Sequence, residues 1–165
     1  MPESRTTEID RIADQLRRMY EGEAWHGPCV LESLRGISAA QAAARPMPNT
    51  HSIYELTHHI GAWIGEVRSR LLGNRPGEPP EGDYPAADTS VDEAAWNAVL
   101  NRLATHHTDL LATLSAFDPA RLDEAVDPTV PPERRQTFYV LLHGLVQHNA
   151  YHAGQIMLLR RGMGA

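Results

Sequence analysis

The sequence contains no lysine, a single cysteine and no long uncharged apolar run. Without lysine, a mechanism that depends on a lysine Schiff base is excluded. The lone Cys29 cannot form an internal disulfide, which fits a reducing compartment. It is either a nucleophile or a small apolar residue within a helix, and the second interpretation is favoured. Because about 18 consecutive apolar residues are needed to cross a bilayer, we expect no membrane-spanning helix.

The composition indicates one globular domain over residues 1–165. Apolar residues make up 42% of the chain and charged residues 22%, which is typical of a folded domain. The formal net charge of -6 disfavours nucleic acid as a partner, because phosphate binding requires a concentrated basic surface. The polar N-terminal segment shows no secretory signal, so we expect a cytoplasmic protein that does not associate with membranes.

Helical periodicity runs through most of the chain, and strand signals are nearly absent. Capping boxes at residues 38–41, 52–55 and 90–93 mark predicted helix starts. A short helix is predicted over 38–44. Four long amphipathic helices are predicted: over 7–35 with a kink near 25–28, from Ser52 to Gly73, from Ser90 onward, and over about 134–161 with Gly162 ending it. Together they predict an all-α four-helix bundle.

The segment over residues 73–90 is rich in proline and glycine and is predicted to be a loop. It is longer than most connections in compact domains. We expect it to form a long crossover between the second and third long helices, or to cover a site.

Two of the nine histidines fall on one helix face. His148 and His152 are four residues apart in the last predicted helix, so their imidazoles stand one above the other. In helical projection both lie within roughly 20° of Leu141, on or beside the apolar stripe. A buried imidazole costs free energy unless it has a partner. The two histidines are therefore either hydrogen-bonded to neighbouring helices or bound to a metal ion about 2 Å from a nitrogen of each ring.

A third candidate ligand lies in the second long helix. His59 projects to the edge of the apolar face of that helix, whereas His58 projects to the opposite side. His26, in the kinked segment, is a further candidate for lining the site. The remaining histidines are predicted to lie outside the site: His51, His106, His107 and His143.

Several polar residues lie close to these histidines. Glu55 and Glu66 are near His59 by helical spacing, and either could orient its ring or act as a base, although Glu55 also belongs to a capping box. Tyr151 and Gln155 are candidates for orienting a ligand or facing the substrate. The motifs of serine hydrolases, P-loop proteins, zincins and dithiol oxidoreductases are missing.

Three segments resemble the DinB/YfiT-like superfamily. Residues 52–56, with His59 and Trp63 after them, resemble the second helix of that family, and residues 147–156 (QHNAYHAGQI) resemble its last helix. Residues 25–28 (WHGP) resemble the first helix of one branch. The resemblance extends over most of the chain.

The resemblance implies a four-helix bundle with a three-histidine metal site. It assigns the ligand roles to His59, His148 and His152, the same three histidines that helical projection favours. Relatives include transferases and isomerases that use small thiols such as bacillithiol or mycothiol, and others are regarded as hydrolases. The resemblance also implies a homodimer.

Three histidine ligands leave at least one coordination position open, as in catalytic metal sites. We therefore expect a metal-dependent enzyme that acts on a small molecule, with transfer to or from a low-molecular-weight thiol ahead of hydrolysis. The alternative is a non-catalytic, metal-stabilised dimeric helical interaction module. Imidazole suits several divalent transition metals, of which Zn or Ni are expected first and Fe or Mn next.

Overall fold

Six α-helices and two 3₁₀ helices form the regular structure in the computed structural model, which describes residues 6–86 and 90–164. The α-helices are α1 (Glu8–Glu21), α2 (Val30–Leu34), α3 (Ala39–Ala43), α4 (Ile53–Leu71), α5 (Glu93–Ser115) and α6 (Phe138–Met163). The 3₁₀ helices are Pro119–Asp123 and Pro132–Arg134. Within the described residues no strand forms, apart from one isolated bridge between Ala125 and Thr137. The all-α prediction is confirmed.

The four long helices form a closed ring. α4 packs against α5 and α6, and α1 packs against the same two helices. Their apolar faces meet in a core whose most deeply buried side chains include Leu16, Ile60, Ile64, Leu103, Leu110, Leu142 and Ile156. Burying each such side chain contributes about 1.5–3 kcal/mol, so this interior drives the association of the helices. The predicted four-helix bundle forms, with α2 and α3 packed at its side.

Glycines on α4 allow α5 to approach closely. A Cβ at Gly61 would lie 3.4 Å from the Cα of Leu103, and one at Gly65 would lie 2.9 Å from the ring of His106. The ring of His106 instead occupies that space, and its Nδ1 donates to the carbonyl of Gly61 at 2.7 Å. One side of α4 is therefore fixed against α5, while α6 packs along another side of the same helix.

Two of the three predicted capping boxes form. The side chain of Ser38 accepts from the backbone N–H of Gln41 at the start of α3. The side chain of Ser52 accepts from the backbone N–H of Glu55, whose carboxylate accepts in return from the N–H of Ser52 at 2.7 Å. This second box sets the N-terminus of α4, which carries His59.

The third capping box, predicted at Ser90 and Glu93, is wrong. α5 begins at Glu93, and the N-cap residue must directly precede the first helical residue. That residue is Asp92, whose carboxylate accepts from the backbone N–H of Ala95 at 2.8 Å.

The prediction of one kinked helix over residues 7–35 is also wrong. The chain breaks fully between α1 and α2, with Gly22 at φ 144 directly after α1. Cys29 does not lie within a helix as expected: it is the N-cap of α2, and its sulfur accepts from the backbone N–H of Glu32 at 3.4 Å. Its thiol is buried, which agrees with a structural rather than a nucleophilic role.

The boundaries of the last helix differ from the predicted 134–161. Two consecutive prolines hold the preceding residues in a 3₁₀ turn, and α6 starts only after Thr137, whose hydroxyl accepts from the N–H of Val140. Gly162 lies inside the helix rather than ending it. The C-cap is Gly164, which has the left-handed conformation (φ 70) that favours glycine.

The segment between α4 and α5 covers part of α4. The backbone N–H of Gly77 donates to the buried carboxylate of Glu66 at 2.9 Å, and Arg70 donates to the carbonyl of Gly77. That this segment is a crossover stays a prediction, because residues 87–89 lie outside the described residues. Residues 1–5, which bear on the predicted absence of a secretory signal, lie outside them as well. Among the helices described, none is long and apolar enough to cross a membrane.

Candidate metal centre

α4 and α6 bring three histidines to one point in the bundle. His59 comes from α4, and His148 and His152 come from successive turns of α6. One ligand atom from each of the three lies within 4.8 Å of the other two. Nε2 of His59 and Nε2 of His148 lie 2.9 Å apart. The sequence-based expectation that these three histidines converge is met.

The second nitrogen of each ring contacts an oxygen atom. Nδ1 of His59 lies 2.9 Å from a carboxylate oxygen of Asp83 and 3.1 Å from its carbonyl oxygen. Nδ1 of His148 lies 3.0 Å from the amide oxygen of Asn149. Nδ1 of His152 lies 2.6 Å from the amide oxygen of Gln155. Because these oxygens only accept, each Nδ1 carries the proton, and each Nε2 is left with its lone pair.

Two nitrogen lone pairs that face each other at 2.9 Å repel unless a cation lies near both. The pair in question is Nε2 of His59 and Nε2 of His148, neither of which has a proton to donate in this tautomer. Two nitrogens bound to one ion at about 2 Å would themselves lie about 3 Å apart. The donor set and its spacing therefore fit a divalent metal ion.

The protonation states favour the same interpretation. Burial lowers the pKa of His59 and of His148, and it lowers the pKa of His152 to about 4. Mutual repulsion among the rings lowers the pKa of His148 and of His152 further. At neutral pH all three imidazoles are neutral, so a metal ion does not have to displace a proton from them.

Three of the residues that contact this cluster were not found from the sequence. Asp83 lies in the loop after α4, where no periodicity links it to His59; besides orienting His59, it accepts from Nε1 of Trp63 at 2.7 Å. Tyr84 stacks on His59 with ring centroids 4.5 Å apart. Asn149 is fully buried next to His148. The only sequence signal for Asp83 and Tyr84 was the unusual length of the loop, whereas Asn149 lies in the segment over residues 147–156 that resembles the last helix of the family.

Both glutamates predicted near His59 are engaged elsewhere. Glu55 completes the capping box of α4 and accepts from Arg45 at 2.6 Å. Glu66 accepts from Arg70 and from the backbone N–H of Gly77, both at 2.9 Å. Within the described residues no fourth histidine, cysteine or carboxylate joins the three-histidine group. The described residues therefore supply three ligand atoms to the cluster.

The two remaining neighbours on α6 lie beside the cluster. Gln155 contacts His152, as stated above, and also donates to the hydroxyl of Tyr151 at 3.2 Å. Tyr151 is largely exposed, and its ring centroid lies 5.0 Å from that of His152. Gln155 is therefore placed to orient His152, and contact of either residue with a substrate stays a prediction.

The expectation for His58 was wrong. It does not project away from the core: it is buried beneath the loop, with Nε2 3.2 Å from the carbonyl of Gly82. His107 lies outside the cluster, as predicted, and is buried against Tyr20 of α1, with ring centroids 3.8 Å apart. His26 is exposed and lines a separate depression with Trp25, so the structure does not bring it to the cluster.

A family model described as the DinB superfamily matches residues 29–156. This chain belongs to the DinB superfamily. The matched residues include all three clustered histidines, and the resemblance noted in the sequence is confirmed.

The DinB fold is also supported by a solved structure. The chain is similar to a conserved protein from Enterococcus faecalis, at 19% sequence identity and a TM-score of 0.72, over 96% of this chain and 99% of that one. At this identity the likeness shows the fold alone. No curated protein matches the sequence.

Proposed function

We propose that this DinB-superfamily protein is a metal-dependent enzyme that transfers a group to or from a small thiol. One observation carries the proposal: three Nε2 lone pairs converge, and no further protein ligand closes the site among the described residues. Structural zinc sites normally have four protein ligands, whereas catalytic sites keep a position for water or substrate. Zn or Ni is the metal we expect first, with Fe or Mn next.

The protein residues hold and orient the centre. Asp83, Asn149 and Gln155 accept the Nδ1 proton of the three histidines, which sets the tautomer and the ring direction. Tyr84 and Trp63 pack around His59. These contacts keep the three Nε2 atoms aimed at one point before any ligand arrives.

A bound metal ion supplies a Lewis acid that lowers the pKa of a thiol or a water molecule at its open position. In the proposed reaction the thiol loses its proton to solvent, and its sulfur forms a bond to the electrophilic carbon of the second substrate. The leaving group departs with the bonding electron pair. Transfer is favoured over hydrolysis because hydrolytic centres commonly use a carboxylate base, and here Glu55 and Glu66 are both engaged elsewhere.

The test combines metal analysis with a transfer assay on protein purified without a histidine tag. Consumption of a small thiol by an electrophile is measured with and without added metal in wild type, in His148→Ala and in His143→Ala. His143 lies on α6 outside the cluster, so it is the matched control. We expect one metal ion per chain and metal-dependent turnover in wild type and His143→Ala, with loss of both in His148→Ala.

The same experiment distinguishes the proposed enzyme from the alternative, a non-catalytic module. A metal ion that raises thermal stability but supports no turnover with any thiol or hydrolysable ester would overturn the enzyme proposal. That result would favour the non-catalytic, metal-stabilised dimeric module. Protein that binds no transition metal under any condition would overturn both.

A further inference from the structure

A groove between α4 and α6 extends from the three-histidine cluster along the bundle. Its volume is about 270 Å³, and its walls include His148 itself, Trp63 and the apolar side chains of Val67, Leu141 and Leu145. A second hollow, near Met47 and Leu159, includes Gln155, which contacts His152, but neither a cluster histidine nor an arginine. The groove therefore adjoins the candidate metal centre at His148 itself.

The same groove is also lined by the positively charged side chain of Arg70 and by Gln136. The ring of Trp63 lies between the two ends of this surface: its centroid is 6.5 Å from that of His148 and 5.7 Å from Cζ of Arg70. Nε and one terminal nitrogen of Arg70 donate to Glu66 and to the carbonyl of Gly77. The other terminal nitrogen donates to none of the described residues and can serve a ligand.

We infer that this groove binds one substrate of the enzyme, a small molecule with an apolar body and a terminal carboxylate that accepts from Arg70. The inference rests on the proposed function, because the opposite end of that molecule would reach the centre at His148. Apolar walls with a few placed polar groups are the usual composition of small-molecule sites. The volume of about 270 Å³ lies just below the usual range of such sites, so the groove suits a compact acid.

Gly144 provides a direct test because it lines the groove, and a Cβ added there would meet no atom within 4 Å. A leucine at this position can project into the groove without displacing the core. Leucine is also a better helix former than glycine, so Gly144→Leu is expected to fold. Gly154 is the matched control: it lies on the same helix, has equally open space around it and does not line the groove.

The experiment uses full-length protein loaded with Co²⁺, whose absorption spectrum reports a bound thiolate. The probes are ω-mercaptohexanoate, ω-mercaptohexanol and mercaptoethanol. The first two have the same chain and differ in the carboxylate, whereas mercaptoethanol is too short to fill the groove. We expect wild type to bind the hexanoate about tenfold more tightly than the hexanol, as one charge-assisted hydrogen bond provides.

The variants locate the effect. Gly144→Leu should lower the affinity for the hexanoate and the hexanol at least tenfold and leave the affinity for mercaptoethanol unchanged. Gly154→Leu should bind all three probes with the affinities of wild type. Two results would overturn the groove assignment without affecting the proposed metal centre. One is equal affinity for the hexanoate and the hexanol, and the other is an affinity for these two probes that Gly144→Leu does not lower. If no thiol, including mercaptoethanol, changes the Co²⁺ spectrum, the proposed function itself fails.

Discussion

The carboxylate of Asp83 lies 2.9 Å from Nδ1 of His59, on the side of the ring opposite the histidine cluster. The same carboxylate accepts from Trp63, so one loop residue orients two side chains of α4. Because Asp83 lies in the loop, the position of the loop and the direction of the Nε2 lone pair of His59 depend on each other. The described part of the loop therefore belongs to the candidate metal centre, although it supplies none of the three clustered histidines.

Replacing Asp83 should weaken metal binding without removing a ligand. Partners of this kind typically contribute a factor of about 10–100 to metal affinity. We expect Asp83→Ala to lower the affinity by that factor in competition with a chromophoric chelator. Glu81→Ala is the control, because Glu81 lies in the same loop but near His106 rather than the cluster. An affinity equal to that of wild type in Asp83→Ala would show that the contact does not orient His59.

Metal binding should stabilise the folded protein. A ligand present at a hundredfold excess over its Kd adds about 2.7 kcal/mol to the free energy of unfolding. For a domain of this size we therefore expect a chelator to lower Tm by roughly 5–10 °C. Differential scanning calorimetry with and without chelator measures the effect. His152→Ala should show no chelator-dependent shift, and an equal shift in that variant would place the metal elsewhere.

Acid should destabilise the protein through His107. Its ring is 2% exposed, neither nitrogen has a hydrogen-bond partner, and burial, with a smaller contribution from Arg17, lowers its pKa from 6.5 to about 4. Between these two values the unfolded chain binds the proton and the folded chain does not. The contribution of His107 to the free energy of unfolding is therefore fully present above pH 6.5. It is lost as pH decreases toward about 4, by about 3 kcal/mol in total.

His107→Phe isolates this contribution. Phenylalanine keeps a ring against Tyr20 and removes both unpartnered nitrogens. We expect the difference in unfolding free energy between the variant and wild type to grow as pH falls, in urea titrations with chelator present. A difference that is independent of pH would mean that His107 is not held neutral by burial.

Glu55 should affect stability rather than metal binding. Its carboxylate caps α4 and pairs with Arg45, so Glu55→Ala should lower the free energy of unfolding by about 1–2 kcal/mol. Metal affinity and turnover should stay near those of wild type, with the exposed Glu133→Ala as control. Lost turnover with normal stability would instead make Glu55 the catalytic base.

The sequence alone determined the features that depend on neighbours a few residues away. The capping boxes at Ser38 and Ser52 are closed by hydrogen bonds to a residue three positions on, so their local patterns predicted them correctly. The placement of His148 and His152 one turn apart on α6 follows from helical periodicity in the same way. The capping box predicted at Ser90 failed for a local reason as well, because Asp92 and not Ser90 directly precedes the first helical residue of α5.

Only the tertiary structure decided what the loop after α4 does. No periodic pattern records the path of a chain rich in proline and glycine, so nothing in the sequence indicated that Asp83 would meet His59 or that Gly82 would cover His58. The 2.9 Å approach of His59 to His148 joins residues 89 positions apart. It depends on how closely α4 and α6 pack, and that spacing is set by the whole core rather than by either helix.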